Sequence, residues 1–201
     1  SRRVLQMTDR LRTTVFLALS IALVALGTIA IRIGVPATGG YMNLGDSMIF
    51  VTAIVFGRKY GLAAGGLGSA LADILGGYAT WAPWTLVIKG IEGYLAGMLY
   101  DTARSETRSR AESEAPSADE SKIRTETKSN NRPRIAHILT ATSIAGAWMV
   151  AGYFIAGTIL YGFNGAIAEL PFNLVQAGGS IAIAIVLAPA IRSLQTFTSF
   201  Q

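Results

Sequence analysis

Charge is spread so unevenly along this chain that it decides what the chain can fold into. Of 29 charged side chains in 201 residues, 15 fall between Asp101 and Arg134, leaving 14 for the other 167 residues. A bilayer core of about 30 Å is crossed by about 20 apolar helical residues rising about 1.5 Å each. Thr13–Ile31 meets that requirement, being 19 residues without a charge between Arg12 and Arg32. Further apolar segments follow, so the segment reads as a retained span rather than a secretory leader. Hydrophobic residues make up 51% and charged ones 14%, against about 25% charge in a soluble domain. The lack of cysteine excludes a disulfide scaffold, a thiolate metal site and a cysteine nucleophile.

Five more apolar segments follow the first: from about Asp46 to Gly57, Tyr60 to Gly77, Pro83 to Tyr100, Ile135 to Ala168 with a loop at its end, and Leu170 to Ile191. The expected fold is an all-α integral membrane protein with six transmembrane helices and both termini cytoplasmic. It forms a single membrane domain over 1–201. Basic residues accumulate on the cytoplasmic side of membrane proteins, and this arrangement puts 15 of the 17 there, all but Arg32 and Lys89. The outer loops are then Ile33–Gly45, Tyr78–Ala82 and Gly162–Glu169. Segment 101–134 has eight basic and seven acidic groups, many Ser and Thr, and no aromatic residue. It offers too little apolar surface to offset its ordering entropy, so it reads as a flexible cytoplasmic linker between helices four and five.

Lipid supplies little hydrophobic force between helices, so close approach depends on small residues spaced four apart. Such pairs occur at Ala18 and Ala22, at Gly61, Gly65 and Ser69, at Gly93 and Gly97, and at Ala147 and Ala151, with Ala177-Gly178-Gly179 in the last segment. The pair in helix one, set among otherwise greasy positions, is the best candidate for docking a partner.

Polar groups at membrane depth are costly and tend to mark function. Here they are Asp73, Lys89, Glu92, Asn173 and Gln176, with Arg32, Asn43, Asp46, Asn164 and Glu169 near the outer boundary. Lys89 and Glu92 share a helix face at i, i+3 and can pair; Lys89 can equally pair with Asp73. Asn173 and Gln176 also share a face, and either hydrogen-bond between helices or bind a planar polar ligand. Tyr41, Tyr78, Trp81, Trp84, Tyr153 and Tyr161 crowd the outer ends, as an interfacial belt or as stacking partners. No Walker sequence and no complete dinucleotide loop is present, and the lone histidine, His137, suits neither a triad nor a metal cluster. An enzyme, a cofactor, a metal and a nucleic-acid partner are therefore not expected.

Asn43-Leu-Gly-Asp46, Phe56-Gly-Arg-Lys-Tyr-Gly61, Gly65-Gly-Leu-Gly-Ser-Ala-Leu-Ala-Asp73, Trp81-Ala-Pro-Trp-Thr-Leu-Val-Ile-Lys-Gly-Ile-Glu-Gly93 and Pro171-Phe-Asn-Leu-Val-Gln176 together resemble the substrate-binding S components of energy-coupling factor (ECF) vitamin transporters. The resemblance covers most of the chain outside the linker. It implies a subunit of a prokaryotic plasma membrane that captures a vitamin or precursor from outside and works with a transmembrane T subunit and two cytoplasmic ATPases. In that family an Ala-x-x-x-Ala stripe meets the T subunit, which maps onto Ala18 and Ala22. The family's ligand-binding regions would include Asn43, Trp84, Lys89, Glu92, Asn164, Asn173 and Gln176. Among its members the chain looks most like those assigned to hydroxymethylpyrimidine, a thiamine precursor, or to pyridoxine, with pantothenate and riboflavin carriers as alternatives. A carboxylate and amides can read an aminopyrimidine edge while a Trp covers its face; pantothenate would need a cation such as Lys89 or Arg32. A different class remains open, a self-contained proton-coupled secondary transporter using Asp73, Glu92 and Lys89 as a relay.

Overall fold

The computed structural model describes residues 2–36, 38–114 and 135–198, and these are mostly helical. Helix α1 (Arg2–Ala30) leads into an antiparallel hairpin of β1 (Arg32–Val35) and β2 (Gly40–Asn43), with Arg32 opposite Asn43 and Val35 opposite Gly40. Helix α2 (Gly45–Phe56) follows. At Gly57, φ 97° is a conformation open to glycine, and it turns the chain into α3 (Arg58–Ala63). That helix runs through a π-helical stretch, Ala64–Gly68, into α4 (Ser69–Leu75). Helix α5 covers Ala82–Glu114, and α6 covers Ile135–Thr198 with a break at Gly162 (φ 79°, ψ 169°).

Among the described residues two helical stretches are long and apolar enough to cross a membrane, Arg10–Ala30 and Ile135–Arg192; α2 is apolar but only 12 residues long. The second stretch has 58 residues, far more than one crossing needs, and the Gly162 break folds it back on itself. Ala141 clusters with Ala188, Ala145 with Ala184 and Met149 with Ala177, the register of two antiparallel arms.

Three expectations change. The outer loop Ile33–Gly45 contains a β-hairpin, so the fold is not purely α-helical. The loop Gly162–Glu169 is helical except for the Gly162 break. Asp101–Glu114, the first part of the expected linker, continues α5 as helix, and Thr107 Oγ1 lies 3.3 Å from His137 Nε2. Residues 115–134, the rest of that linker, lie outside the described residues.

Small residues set the packing. A Cβ at Gly61 would sit 2.4 Å from the Gly93 carbonyl oxygen, and one at Gly65 would sit 2.4 Å from the Lys89 carbonyl oxygen. Only glycine lets α3 and its π-helical extension lie this close to α5. Gly68 does the same toward α1, where a Cβ would meet the Ile21 oxygen at 2.7 Å.

The two ends of the bundle differ in character. At one, Arg12 lies over Phe16, Arg58 over Tyr94, and Arg192 Nη1 donates to the Tyr100 hydroxyl at 2.7 Å. The other end gathers the β-hairpin, the turn after α4, and the Gly162 break. Between them the core is mostly apolar, with Phe50, Ile54, Tyr100, Ile138 and Met149 fully buried.

Candidate functional site

At the hairpin end, residues from five elements surround a cavity of about 390 Å³, counted out to solvent. Its walls are Thr28 of α1, Gly40 and Tyr41 of β2, Ser69 and Asp73 of α4, Trp81 and Thr85 at the start of α5, and Tyr153, Glu169, Asn173 and Gln176 from the two arms of α6.

Polar bonds tie the hairpin across the cavity's mouth. The Tyr41 hydroxyl donates to Asp73 Oδ1, and Thr38 Oγ1 donates to Glu169 Oε1 at 3.1 Å. The Asn43 backbone N–H donates to Gln176 Oε1 at 2.7 Å. Burial, with Asp73 beside it, pushes the Tyr41 hydroxyl far above its usual range, so it remains protonated and can donate. Arg32 at the hairpin's base donates to the Ala72 oxygen at 2.8 Å and to the Thr28 oxygen at 3.2 Å, with its guanidinium 4.7 Å from the Tyr41 ring centre. Trp81 stacks on Tyr161 at 5.6 Å and lies 5.8 Å from Tyr153.

Buried polar atoms normally find partners. In this cavity Thr28 Oγ1, Asp73 Oδ2, Trp81 Nε1 and Glu169 Oε2 have no hydrogen-bond partner among the described residues, although each residue is at least nine-tenths buried. Each carboxylate thus spends one oxygen on the hairpin and leaves the other unused.

One helical turn from Thr85 toward the basic end lies a buried ion network. Lys89 Nζ pairs with Asp46 Oδ1 and sits 3.3 Å from Glu92 Oε2, and all three residues are at most 1% exposed. Gln176 Nε2 donates to Asp46 Oδ2 at 2.8 Å, linking the network to the cavity wall. Asp46 occupies the first turn of α2, where the helix dipole favours an anion. Two carboxylates here share one ammonium.

The residues singled out from sequence are distributed as follows. Asn173 and Gln176 line the cavity, and Gln176 has committed both ends of its amide to Asn43 and Asp46. Lys89 and Glu92 form the adjoining network, with Asp46 rather than Asp73 as the lysine's second partner. Asn43 lies at the cavity's edge, its Oδ1 accepting from the Gly45 N–H at 2.8 Å. Trp84 is half-buried in an aromatic cluster with Tyr78 and Tyr153, and Asn164 is exposed beyond Gly162. Neither Trp84 nor Asn164 is among the lining residues. Ala18 and Ala22 are exposed on the outward face of α1, while Ser20, Val24 and Thr28 face inward. Tyr41, Thr85, Tyr153, Trp81, Asp73 and Glu169 line the site without having been selected as binding residues. For the last three, the usable signal was their position at segment ends beside Gly and Pro turns.

A sequence model for the family described as "ECF-type riboflavin transporter, S component" matches residues 9–114. The chain is 38% identical over 160 residues to an uncharacterised protein of Pyrococcus woesei, covering 80% of this chain and 88% of that one. It is 26% identical over 165 residues to the thiamine precursor transporter HmpT of Lactococcus lactis subsp. cremoris (strain MG1363), covering 82% and 78%. The matched segment holds the hairpin, the helices α2 and α4 that carry Asp46 and Asp73, and the glycine contacts that join α3 to α5. The chain belongs to the S-component family of ECF-type transporters, membrane proteins that bind the vitamin or precursor to be carried and are not enzymes.

Proposed function

We propose that this protein is the substrate-capture subunit of an ATP-driven ECF importer, and that its cargo is a small nitrogen heterocycle, hydroxymethylpyrimidine first and pyridoxine next. The observation that carries the reading is the aromatic-walled cavity, with buried polar atoms left for a ligand to satisfy. The relative named a thiamine precursor transporter supports the same cargo class. Asn173 and the inner face of Gln176 contact the ligand, while Asn43, Lys89 and Glu92 act one step back, as the floor that holds Gln176 and Asp46 in place. Riboflavin is the second reading, favoured by the description of the matching family.

The subunit crosses the membrane six times, as α1, α2, the run from α3 to α4, α5 and the two arms of α6, with both termini in the cytoplasm. The gathering of Arg12, Arg58 and Arg192 at one end supports that orientation, since basic residues favour the cytoplasmic side. The cavity then opens outward. Energy comes from two partner ATPases through a transmembrane T subunit that docks on the Ala18 and Ala22 stripe. Purification of the chain from cells grown in rich medium, followed by mass spectrometry of the released small molecule, tests the cargo. A pyrimidine or pyridine vitamin is expected, and a flavin would transfer the assignment to the second reading.

Docking through α1 has its own test. Replacing both Ala18 and Ala22 by leucine closes the small-residue groove on an exposed face, so recovery of the T subunit in a pull-down should fall about tenfold, as close helix packing is lost. Ligand affinity should stay unchanged. Weakened ligand binding with assembly intact would mean that α1 only packs within the subunit.

A further inference from the structure

The capture site holds more negative charge than its own cations neutralise. Asp73 and Glu169, 2% and 5% exposed, face one cavity, and each presents one oxygen without a protein partner. Their other oxygens are held by the Tyr41 and Thr38 hydroxyls, which are neutral. The nearby cations are engaged elsewhere. Lys89 is shared between Asp46 and Glu92, and Arg32 donates to the Ala72 and Thr28 carbonyl oxygens while lying over Tyr41. No lysine, arginine or histidine is among the lining residues. One unused donor, Trp81 Nε1, faces the same space.

We infer that Asp73 and Glu169 make this site selective by charge, so that it takes a neutral or cationic ligand with two hydrogen-bond donors and one acceptor and rejects anions, including phosphate esters of an otherwise matching ligand. This rests on the capture-subunit reading above. A ligand amine and hydroxyl donate to Asp73 Oδ2 and Glu169 Oε2, and a ring nitrogen accepts from Trp81 Nε1. In a water-poor cavity an anion would meet two carboxylates and no lining cation, and such like-charge juxtaposition is strongly unfavourable. Pantothenate, whose carboxylate needs a cation, is excluded on the same ground.

The test is calorimetric titration of the purified full chain in lipid nanodiscs with four probes: hydroxymethylpyrimidine, its phosphate monoester, pantothenate and riboflavin. The expected result is binding of the neutral pyrimidine, with both anions weaker by about a hundredfold or more. Asp73→Asn and Glu169→Gln should each weaken the pyrimidine by about tenfold, through loss of a charge-assisted hydrogen bond. Both should also narrow the gap between the pyrimidine and its phosphate ester. The wild-type ratio decides the matter even where a variant fails to fold. If either anion binds the wild type within threefold of the neutral pyrimidine, charge selection is overturned while the capture reading stands. Tight riboflavin binding that neither acid substitution disturbs also overturns it. If no probe binds and the assembled transporter carries no small molecule, the capture reading itself fails, and the inference with it.

Discussion

Lys89→Met should cost the fold about 3–5 kcal/mol, the range expected when one partner of a buried ion pair is removed. The lysine sits between Asp46 and Glu92, and none of the three is more than 1% exposed. Without the ammonium, two carboxylates face each other in a region that water does not reach. Methionine keeps most of the volume, so the loss is electrostatic rather than a cavity effect. In detergent, the variant should give a lower midpoint of thermal unfolding by circular dichroism and a broadened size-exclusion profile. Glu92→Gln should behave quite differently, since it leaves one carboxylate for one ammonium. Adding Glu92→Gln to Lys89→Met should recover part of the lost stability. Equal damage from both single substitutions would mean that the two acids do not share the lysine's charge.

The second large effect is steric. A Cβ at Gly93 would lie 2.1 Å from the Gly61 carbonyl oxygen, and one at Gly61 would lie 2.4 Å from the Gly93 oxygen and 2.7 Å from the Ala53 Cβ. Neither obstacle is a flexible side-chain end, so α3 and α5 must separate. Gly93→Ala should therefore destabilise by about 3 kcal/mol, at the upper end of overpacking costs, and Gly61→Leu by more. Gly178→Ala is the matched control, since nothing lies within 4 Å of its added Cβ. Thermal unfolding of the three variants side by side reads the difference. Comparable midpoints for Gly93→Ala and Gly178→Ala would show that the helix contact tolerates a methyl group. Ligand affinity should fall with Gly93→Ala, because Thr85 on α5 and Trp81 just before it wall the cavity against Asp73 on α4.

How much of this was readable without coordinates depended on the length of each element and on the kind of force holding it. Helix α1 and the arms of α6 stand out because long charge-free runs need no context to be recognised. The small-residue spacing at Gly61, Gly65, Gly93 and Gly97 pointed to close helix contacts, and α3 and α5 do meet there. The β-hairpin was hidden because its strands have four residues each, too few for an alternating pattern, and their pairing is a matter of backbone geometry. Asp101–Glu114 shows the opposite failure. Its composition cannot support a core, yet it inherits helical geometry from α5, because propagation costs far less than nucleation.

The site was legible as a list of polar residues and not as an arrangement. Asn173 and Gln176 reach the cavity because i, i+3 spacing holds on either side of a break. Asp46 read as a boundary residue, yet it is the main partner of Lys89, 43 positions along the chain. Trp84 and Trp81 were equally plausible ring-covering residues. Three positions on a helix differ by roughly 300° of rotation, and only the direction in which α5 enters the bundle turns Trp81 toward Tyr153 and Tyr161.

The π-helical stretch Ala64–Gly68 also sets the phase of everything after it. One surplus residue in a helical turn advances the downstream face by roughly 100°. Gly61 ahead of the stretch and Gly65 within it point at α5; Gly68 at its end points at α1, and Asp73 beyond it at Tyr41. A regular α-helix through the same span would preserve the contacts before the bulge and swing Asp73 away from the hairpin. A one-residue insertion or deletion in this run therefore turns Asp73 off the hairpin unless an opposite change nearby restores the angle.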